Sequence, residues 1–250
     1  MERPPQQAIE LLEKAVERSK RRSSVRLPLA FARDQVNETA KPPLAQLLQG
    51  GGEVRLKVLL TMLMIATKHP HVARVPSKDL AAMLNLRDPD GAGARRVNKA
   101  LSDLAAANLI RRDHRPGHVP STTILDPGGS GEEWNTEQLS GSTYITLPPD
   151  LWRRGWLIAL SGRAVAMLII LKENTGGREK GAWVPGIRRR QYGLSEDTWT
   201  KATKELRDVG LLDVDEKVFS FHGEPRRRNV YTLHLDRLAI FDPGQLTLST

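Results

Sequence analysis

The run from Ala94 to Arg112, ARRVNKALSDLAAANLIRR, is answered later in the chain by Thr198 to Asp213, TWTKATKELRDVGLLD. Laid over one another without gaps, Val97 meets Trp199, Lys99 meets Lys201, Ala100 meets Ala202, Leu104 meets Leu206 and Leu109 meets Leu211. A helix that leads directly into a strand therefore occurs twice, and such a repeat requires the chain to be read as two similar units. Each copy sets apolar residues at i, i+3, i+4 and i+7: Val97, Ala100, Leu101 and Leu104, then Trp199, Ala202, Thr203 and Leu206. That is the stripe of a helix lying on a core. The opposite face is polar and projects Arg95, Lys99 and Ser102 in the first copy, and Thr200, Lys201 and Lys204 in the second. Asn108 and Gly210, both tolerant of positive φ, end the two helices.

The flanking sequence extends the repeat. Val54 to Lys68 is apolar on almost every side, which predicts a helix buried within a domain. Val75-Pro76 leads to Ser77, read as the N-cap of a short helix over 78–84. Arg87 to Gly93 reads as a turn before the repeated helix. After it, 109–113, a basic loop over 114–120 and 121–125 read as strand, loop and returning strand. The second unit starts with the alternating strand Thr143 to Pro148 and a short amphipathic turn over 150–156. Ser161 then caps an apolar helix through Leu171. Val184-Pro185 echoes Val75-Pro76, residues 187–192 take the place of the second helix, and Ser195 caps the second copy of the repeated helix. A wing spans Phe219 to Arg228, and residues 229–235 return as a strand. Helix, helix, helix, strand, wing, strand is the order of a winged helix-turn-helix. The expected fold is mainly α with small β wings, an α+β chain of two tandem winged helix-turn-helix domains. Its boundaries are an N-terminal helix and basic arm over 1–51, domains over 52–126 and 143–250, and a Gly-rich linker over 127–142.

In the N-terminal region Ile9, Leu12 and Val16 have helical spacing before the basic run Arg18 to Arg22. Three readings stay open there: a solvated tail, an arm that tracks DNA, or a helix that forms a homodimer. Residues 25–50 have no assignable pattern.

The chain has 38 Lys and Arg against 29 Asp and Glu, a formal charge of +9, and the charge is clustered. A one-signed face attracts phosphate through counterion release. There is no cysteine, which removes disulfides and thiolate metal sites and fits a reduced cytosol. No apolar run reaches the roughly 18 to 20 residues of a membrane span. The N-terminus lacks the apolar core of a signal peptide. The expected location is cytoplasmic and nucleoid-associated.

On these features the chain resembles the bacterial tandem winged-helix proteins, which include plasmid replication initiators of the two-winged-helix type and regulators of mobile elements. The resemblance covers roughly 52–126 and 143–238. It implies that the third helix of each unit enters a major groove while the wing touches backbone or minor groove. The base-reading positions it implies are Arg95, Asn98, Lys99 and Ser102, then Thr200, Lys201 and Lys204. The implied backbone contacts are Lys78, Arg111, Arg112, Arg115, Arg188, Arg189, Arg190, Arg226, Arg227 and Arg228. Asp197 departs from the pattern, since a carboxylate at the exposed start of the second helix repels phosphate.

No catalytic constellation, metal site or cofactor motif stands out. His69-Pro70-His71 superficially matches a nickase metal motif, but it follows a helix and holds a central proline. His114 and His118 lie in a basic loop. Residues 176–181 lack the ending of a P-loop. Trp152, Trp156, Trp183 and Trp199 fit core or domain-junction roles better than stacking platforms. The expected function is non-enzymatic, sequence-specific binding of double-stranded DNA by a transcriptional or copy-control regulator. A replication initiator that binds origin repeats is the alternative. An interaction module of a chromosome-organising complex fits less well, because such modules need no basic wings.

Overall fold

Two helices too apolar to face water on any side set the architecture, seen here in a computed structural model that describes residues 3–21, 23–34, 41–113, 120–136, 144–176, 181–221 and 224–240. The chain is α+β with small sheets. It begins with α1 (Gln6–Arg18), β1 (Val25–Pro28), α2 (Leu29–Ala32) and α3 (Pro43–Leu48). The first repeat is α4 (Glu53–Ile65), β2 (Val72–Ala73), α5 (Ser77–Met83), α6 (Ala94–Ala106), β3 (Ile110–Asp113) and β4 (Ser121–Ile124). Then come β5 (Tyr144–Leu147), α7 (Asp150–Arg153) and α8 (Trp156–Ala159). The second repeat is α9 (Gly162–Thr175), β6 (Ala182–Trp183), α10 (Gly186–Gln191), α11 (Glu196–Asp208), β7 (Leu212–Phe221) and β8 (Glu224–Leu233), with α12 (Arg237–Ile240) after it.

The two repeats build the same antiparallel sheet, in the orders β2-β4-β3 and β6-β8-β7. Their third helices, α6 and α11, each have 13 residues and leave by the same turn. Asn108 has φ 56° and Gly210 φ 70°. Leu109 N–H donates to Leu104 O at 3.0 Å, and Leu211 N–H to Leu206 O at 2.9 Å. Asn108 N–H donates to Ala105 O at 3.0 Å, and Gly210 N–H to Arg207 O at 2.8 Å. This pair of bonds closes a helix through a left-handed residue and aims the chain into the following strand. The likeness extends to an ion pair between first and third helices: Arg55 lies 3.6 Å from Asp103, and Arg163 lies 3.5 Å from Glu205. Asp103 and Glu205 occupy matching positions of the repeat.

One apolar cluster runs through both repeats and the N-terminal elements. Residues 25–50, which show no pattern in sequence, form β1, α2 and α3. β1 pairs with β5 from Val25 opposite Leu147 to Pro28 opposite Tyr144. The basic arm expected before them is anchored at Arg21, whose Nε donates to Met64 O at 2.8 Å and Nη2 to Leu63 O at 2.7 Å. Burial lowers the Arg21 guanidinium to about 10. It is still charged at neutral pH and closes the carbonyl end of α4. The apolar stripe of α1, through Ala8, Leu12, Ala15 and Val16, is buried within the chain, where α1 packs on α7, α5 and α4. The surface the sequence offered for a homodimer is therefore already covered.

Other expectations need correcting. Ser77 is the first helical residue and not the cap; its hydroxyl donates instead to Asn98 Oδ1 at 2.9 Å. The turn before α6 is a π-helical turn over Pro89–Gly93, held where Ala92 N–H donates to Asp88 Oδ2 at 2.7 Å. The described part of the linker, 127–136, is ordered by Asp126, which accepts from Gly128 N–H and Ser130 Oγ, both at 2.9 Å. Trp134 is buried there. The second wing is no loop over 219–228: β7 and β8 pair from Leu212 opposite Leu233 to Phe221 opposite Glu224. The expected wing loop over 114–120 lies, except for Pro120, outside the described residues.

His71 is buried, its Nδ1 lies 2.9 Å from Ala66 O, and burial is the main cause that lowers its pKa. A lowered imidazole binds fewer protons folded than unfolded, so stability present at neutral pH falls as pH drops below the ordinary histidine value. The melting temperature should therefore decline between pH 7.5 and 5, with a smaller decline in His71→Asn; equal slopes would remove His71 as the cause. A chain that starts at residue 52 should lose its cooperative melt, because α4 and α9 lose the cover of α1, α2 and α3. A cooperative transition like the parent's would show that the repeats stand alone.

Candidate nucleic-acid interface

The stripe of α6 fixes which side chains leave the protein. Val97, Ala100, Leu101 and Leu104 are buried, so Arg95, Arg96, Asn98, Lys99 and Ser102 face solvent. All four first-copy candidates are thus exposed on one helix, and Arg96, which sequence reasoning passed over, joins them. It sits one turn before Lys99, which is the signal that finds it. Arg96 and Lys99 border a cleft of about 380 Å³ against the turn at Gly50 to Gly52, with Arg55 and Asp103 in its walls. Gly50 and Gly51 hold φ of 58° and 74°, values that favour glycine.

Charge decides how the two copies differ. Lys99 is 78 % exposed and its Nζ lies 3.6 Å from Asp103, which Arg55 shares. α6 carries Arg95, Arg96 and Lys99 against Asp103 alone. In α11, Lys201 meets Asp197 at 2.9 Å and Lys204 meets Asp208 at 2.6 Å. With Glu196 and Glu205 added, the acids of α11 outnumber Lys201, Lys204 and Arg207. Thr200 is exposed between them. The first copy therefore offers net positive charge and the second offers lysines already answered by their own helix.

Asn98 is a junction. Its Oδ1 accepts from Ser77 at 2.9 Å and from Arg112 Nη2 at 3.4 Å, joining α5, α6 and β3. Lys78 is exposed at the start of α5, and Arg111 lies 3.9 Å from Glu133. Arg115 lies outside the described residues.

The arginines of the second unit are held by the protein itself. Arg188 Nη1 donates to Asn174 Oδ1 at 3.2 Å. Arg189 pairs with Glu196 and lays its guanidinium 4.6 Å over the Trp199 ring. These contacts hold α10, which buries none of its own residues and leaves Ile187 53 % exposed. Arg190 is exposed. On the hairpin, Arg227 meets Glu216 at 3.1 Å, Arg226 is exposed, and Arg228 lies 4.8 Å over the Trp183 ring. Trp152, Trp156 and Trp199 are buried as expected, whereas Trp183 is 37 % exposed.

Among the described residues, no group of three or more His, Cys, Asp or Glu stands ready to hold a metal, and no helix is long and apolar enough to cross a membrane. Comparison with protein-family models, curated proteins and solved structures finds no match.

Asn98→Ala removes an acceptor shared by two donors and should cost about 1 kcal/mol of stability. Lys99→Ala, on the same exposed face, should leave the melting temperature unchanged. Thermal melts of the two variants check the distinction; equal shifts would mean that Asn98 does not tie the three elements together.

Proposed function

We propose that the protein is a non-enzymatic, sequence-specific binder of double-stranded DNA, built as two tandem winged-helix units and acting as a transcriptional or copy-control regulator. The observation that carries the reading is the repeated element order, in which a three-stranded sheet backs a helix whose outer face is free of core residues. In the first copy that face is also cationic. An α-helix fits the major groove, where Arg and Lys pair with guanine O6 and N7. Arg95 and Lys99, with Arg96 and Ser102 beside them, are the readers on this proposal. Asn98 supports the face more than it reads, since its Oδ1 already accepts from Ser77 and Arg112. The self-neutralised α11 supplies a weaker second contact, and Lys78, Arg111 and Arg190 act on the backbone.

Binding to a duplex should weaken steeply with salt, because each neutralised phosphate releases counterions. An affinity equal at low and physiological salt would sink the electrostatic basis of the reading. Lys99→Ala should cost on the order of 1 to 3 kcal/mol on the preferred site and less on random duplex, which compresses the specificity ratio. Leu104→Ala, at a fully buried position, should instead lose roughly 2 to 5 kcal/mol of folding stability. Genome-wide crosslinking selects the role: occupancy at promoters supports a regulator, and occupancy confined to a repeated origin supports an initiator.

A further inference from the structure

Beside the carbonyl end of α4 lies a polar recess of about 210 Å³. Three separate stretches wall it: the N-terminal segment from Arg21 to Arg26, the end of α4 with the turn that carries His71, and the linker at Trp134 and Thr136. Its described lining residues include two arginines and a histidine but no Asp or Glu. Arg21 spends Nε and Nη2 on carbonyls of the last turn of α4, and a helix end carries about half an elementary charge against the whole charge of the guanidinium. A positive excess therefore remains. Arg26 lays its guanidinium 4.9 Å over the Tyr144 ring, and its N–H groups make no hydrogen bond among the described residues. Nor do the hydroxyls of Ser23, Ser24 and Thr136. His71 is 4 % exposed, and with Nδ1 held against Ala66 O the ring has Nε2 left to offer. Burial, and then the charges of His69 and Arg21, lower its pKa against the Ala66 contact. At neutral pH the imidazole is thus uncharged, with its proton on Nδ1 and Nε2 an acceptor.

We infer that the recess binds inorganic phosphate, whose oxygens accept from Arg26 and Ser24 beside the charge of Arg21, and whose hydroxyl donates to His71 Nε2. The chemistry of the lining selects this ligand. Several donors without partners call for an anion with several acceptor oxygens, and one lone acceptor calls for a donor on the same anion. Chloride, sulfate and an ionised carboxylate accept only, whereas inorganic phosphate keeps a hydroxyl at neutral pH. A phosphodiester has none, so the backbone of a nucleic acid does not satisfy His71, and the inference is independent of the DNA-binding reading. Size agrees. At roughly 30 Å³ for each water of the liquid, the recess has room for about seven, enough for one phosphate and a few waters and below the roughly 300 Å³ at which sites for larger organic ligands begin. His71 leads into β2, and its carbonyl accepts from Ile124 N–H at 3.0 Å. A bound phosphate therefore ties the N-terminal segment and the linker to the sheet of the first repeat.

The test melts the full chain at neutral pH in inorganic phosphate, in sulfate and in chloride at equal ionic strength. A ligand of the native state raises the melting temperature along a saturation curve. Phosphate and sulfate favour burial alike as excluded salts, so a difference between them isolates a site. Phosphate should bind at least about 10-fold more tightly than sulfate, because sulfate leaves the buried Nε2 unpaired. Arg26→Gln should weaken phosphate binding about 10-fold or more, and Lys99→Ala, on the outer face of α6, should bind phosphate like the parent. His71→Gln should bring the two anions to within about 2-fold of each other, and melts in chloride check that each variant keeps its fold. In the parent, the ring resonances of His71 should shift along the same phosphate saturation curve, a readout that needs no variant. The inference is overturned if phosphate and sulfate act alike on the parent, if the rise does not saturate, or if the His71 resonances stay in place. An Arg26→Gln protein that binds phosphate like the parent also overturns it, and a loss in Lys99→Ala equal to that in Arg26→Gln would move the anion to α6.

Discussion

From Ala164 to Leu171 every residue of α9 is 0 % exposed. Successive side chains of a helix point 100° apart, so eight buried positions in a row exhaust every direction around the axis. Such a helix is stable in water only when other elements cover it completely, at a gain of roughly 1.5 to 3 kcal/mol for each large apolar side chain removed from solvent. The cover comes from α11, α4, α2, α3, β5 and β8. Three of these six precede or begin the first repeat, which is why the N-terminal residues are structure and not an arm. α4 makes the same demand, with Leu56 to Met64 all buried. The starts of the two helices come so close that a Cβ on Gly162 would lie 2.9 Å from Glu53 Cα.

Covering helices so completely leaves their polar ends in need of partners, and the partners fix the orientation of the units. Glu205 on α11 accepts from Ser161 N–H at 2.7 Å and from Ser161 Oγ at 2.5 Å, gripping the start of α9. Lys57, buried within α4, reaches Glu53 at 2.5 Å and Ile158 O at 3.2 Å, which ties α4 to α8. Glu173 is nearly buried, meets Arg33 at 3.2 Å and accepts the Tyr192 hydroxyl. Burial, then the carboxylate beside it, raises the Tyr192 pKa, so the phenol stays protonated and serves as donor. A charge deprived of one of these partners would be left desolvated, a larger loss than the net worth of the pair. These contacts therefore specify one packing of the two repeats.

What sequence reveals here follows from periodicity. The two third helices, their left-handed exits at Asn108 and Gly210 and the caps at Ser161 and Ser195 were legible, because each rests on local spacing or on one residue's backbone freedom. Residues 25–50 were not, since their short elements follow the shape of α4 and α9 rather than a period of their own. Glu224 to Arg228 read as a loop because charge usually marks loops, yet a ribbon exposed on both faces needs no apolar alternation to pair. On the candidate interface, the exposed face of α6 was legible from the stripe behind it. The exposure of Trp183 was not, as it depends on how far β8 outruns β6: β6 pairs only with Val230 and Tyr231, leaving the outer ribbon uncovered.

The internal repeat sharpens what its two copies do not share. Both keep the helix-to-strand exit and the ion pair between first and third helices, features that serve folding. They part on the outer face, where α6 leaves Arg95, Arg96 and Lys99 facing Asp103 alone, and α11 sets an acid within reach of both its lysines. In the second unit the hairpin is the part that has grown: its strands are 10 residues each against 4 in the first. The shared scaffold therefore leaves each unit its own surface: a helix with a cationic outer face in the first, and a helix that neutralises its own lysines beside a long two-stranded ribbon in the second.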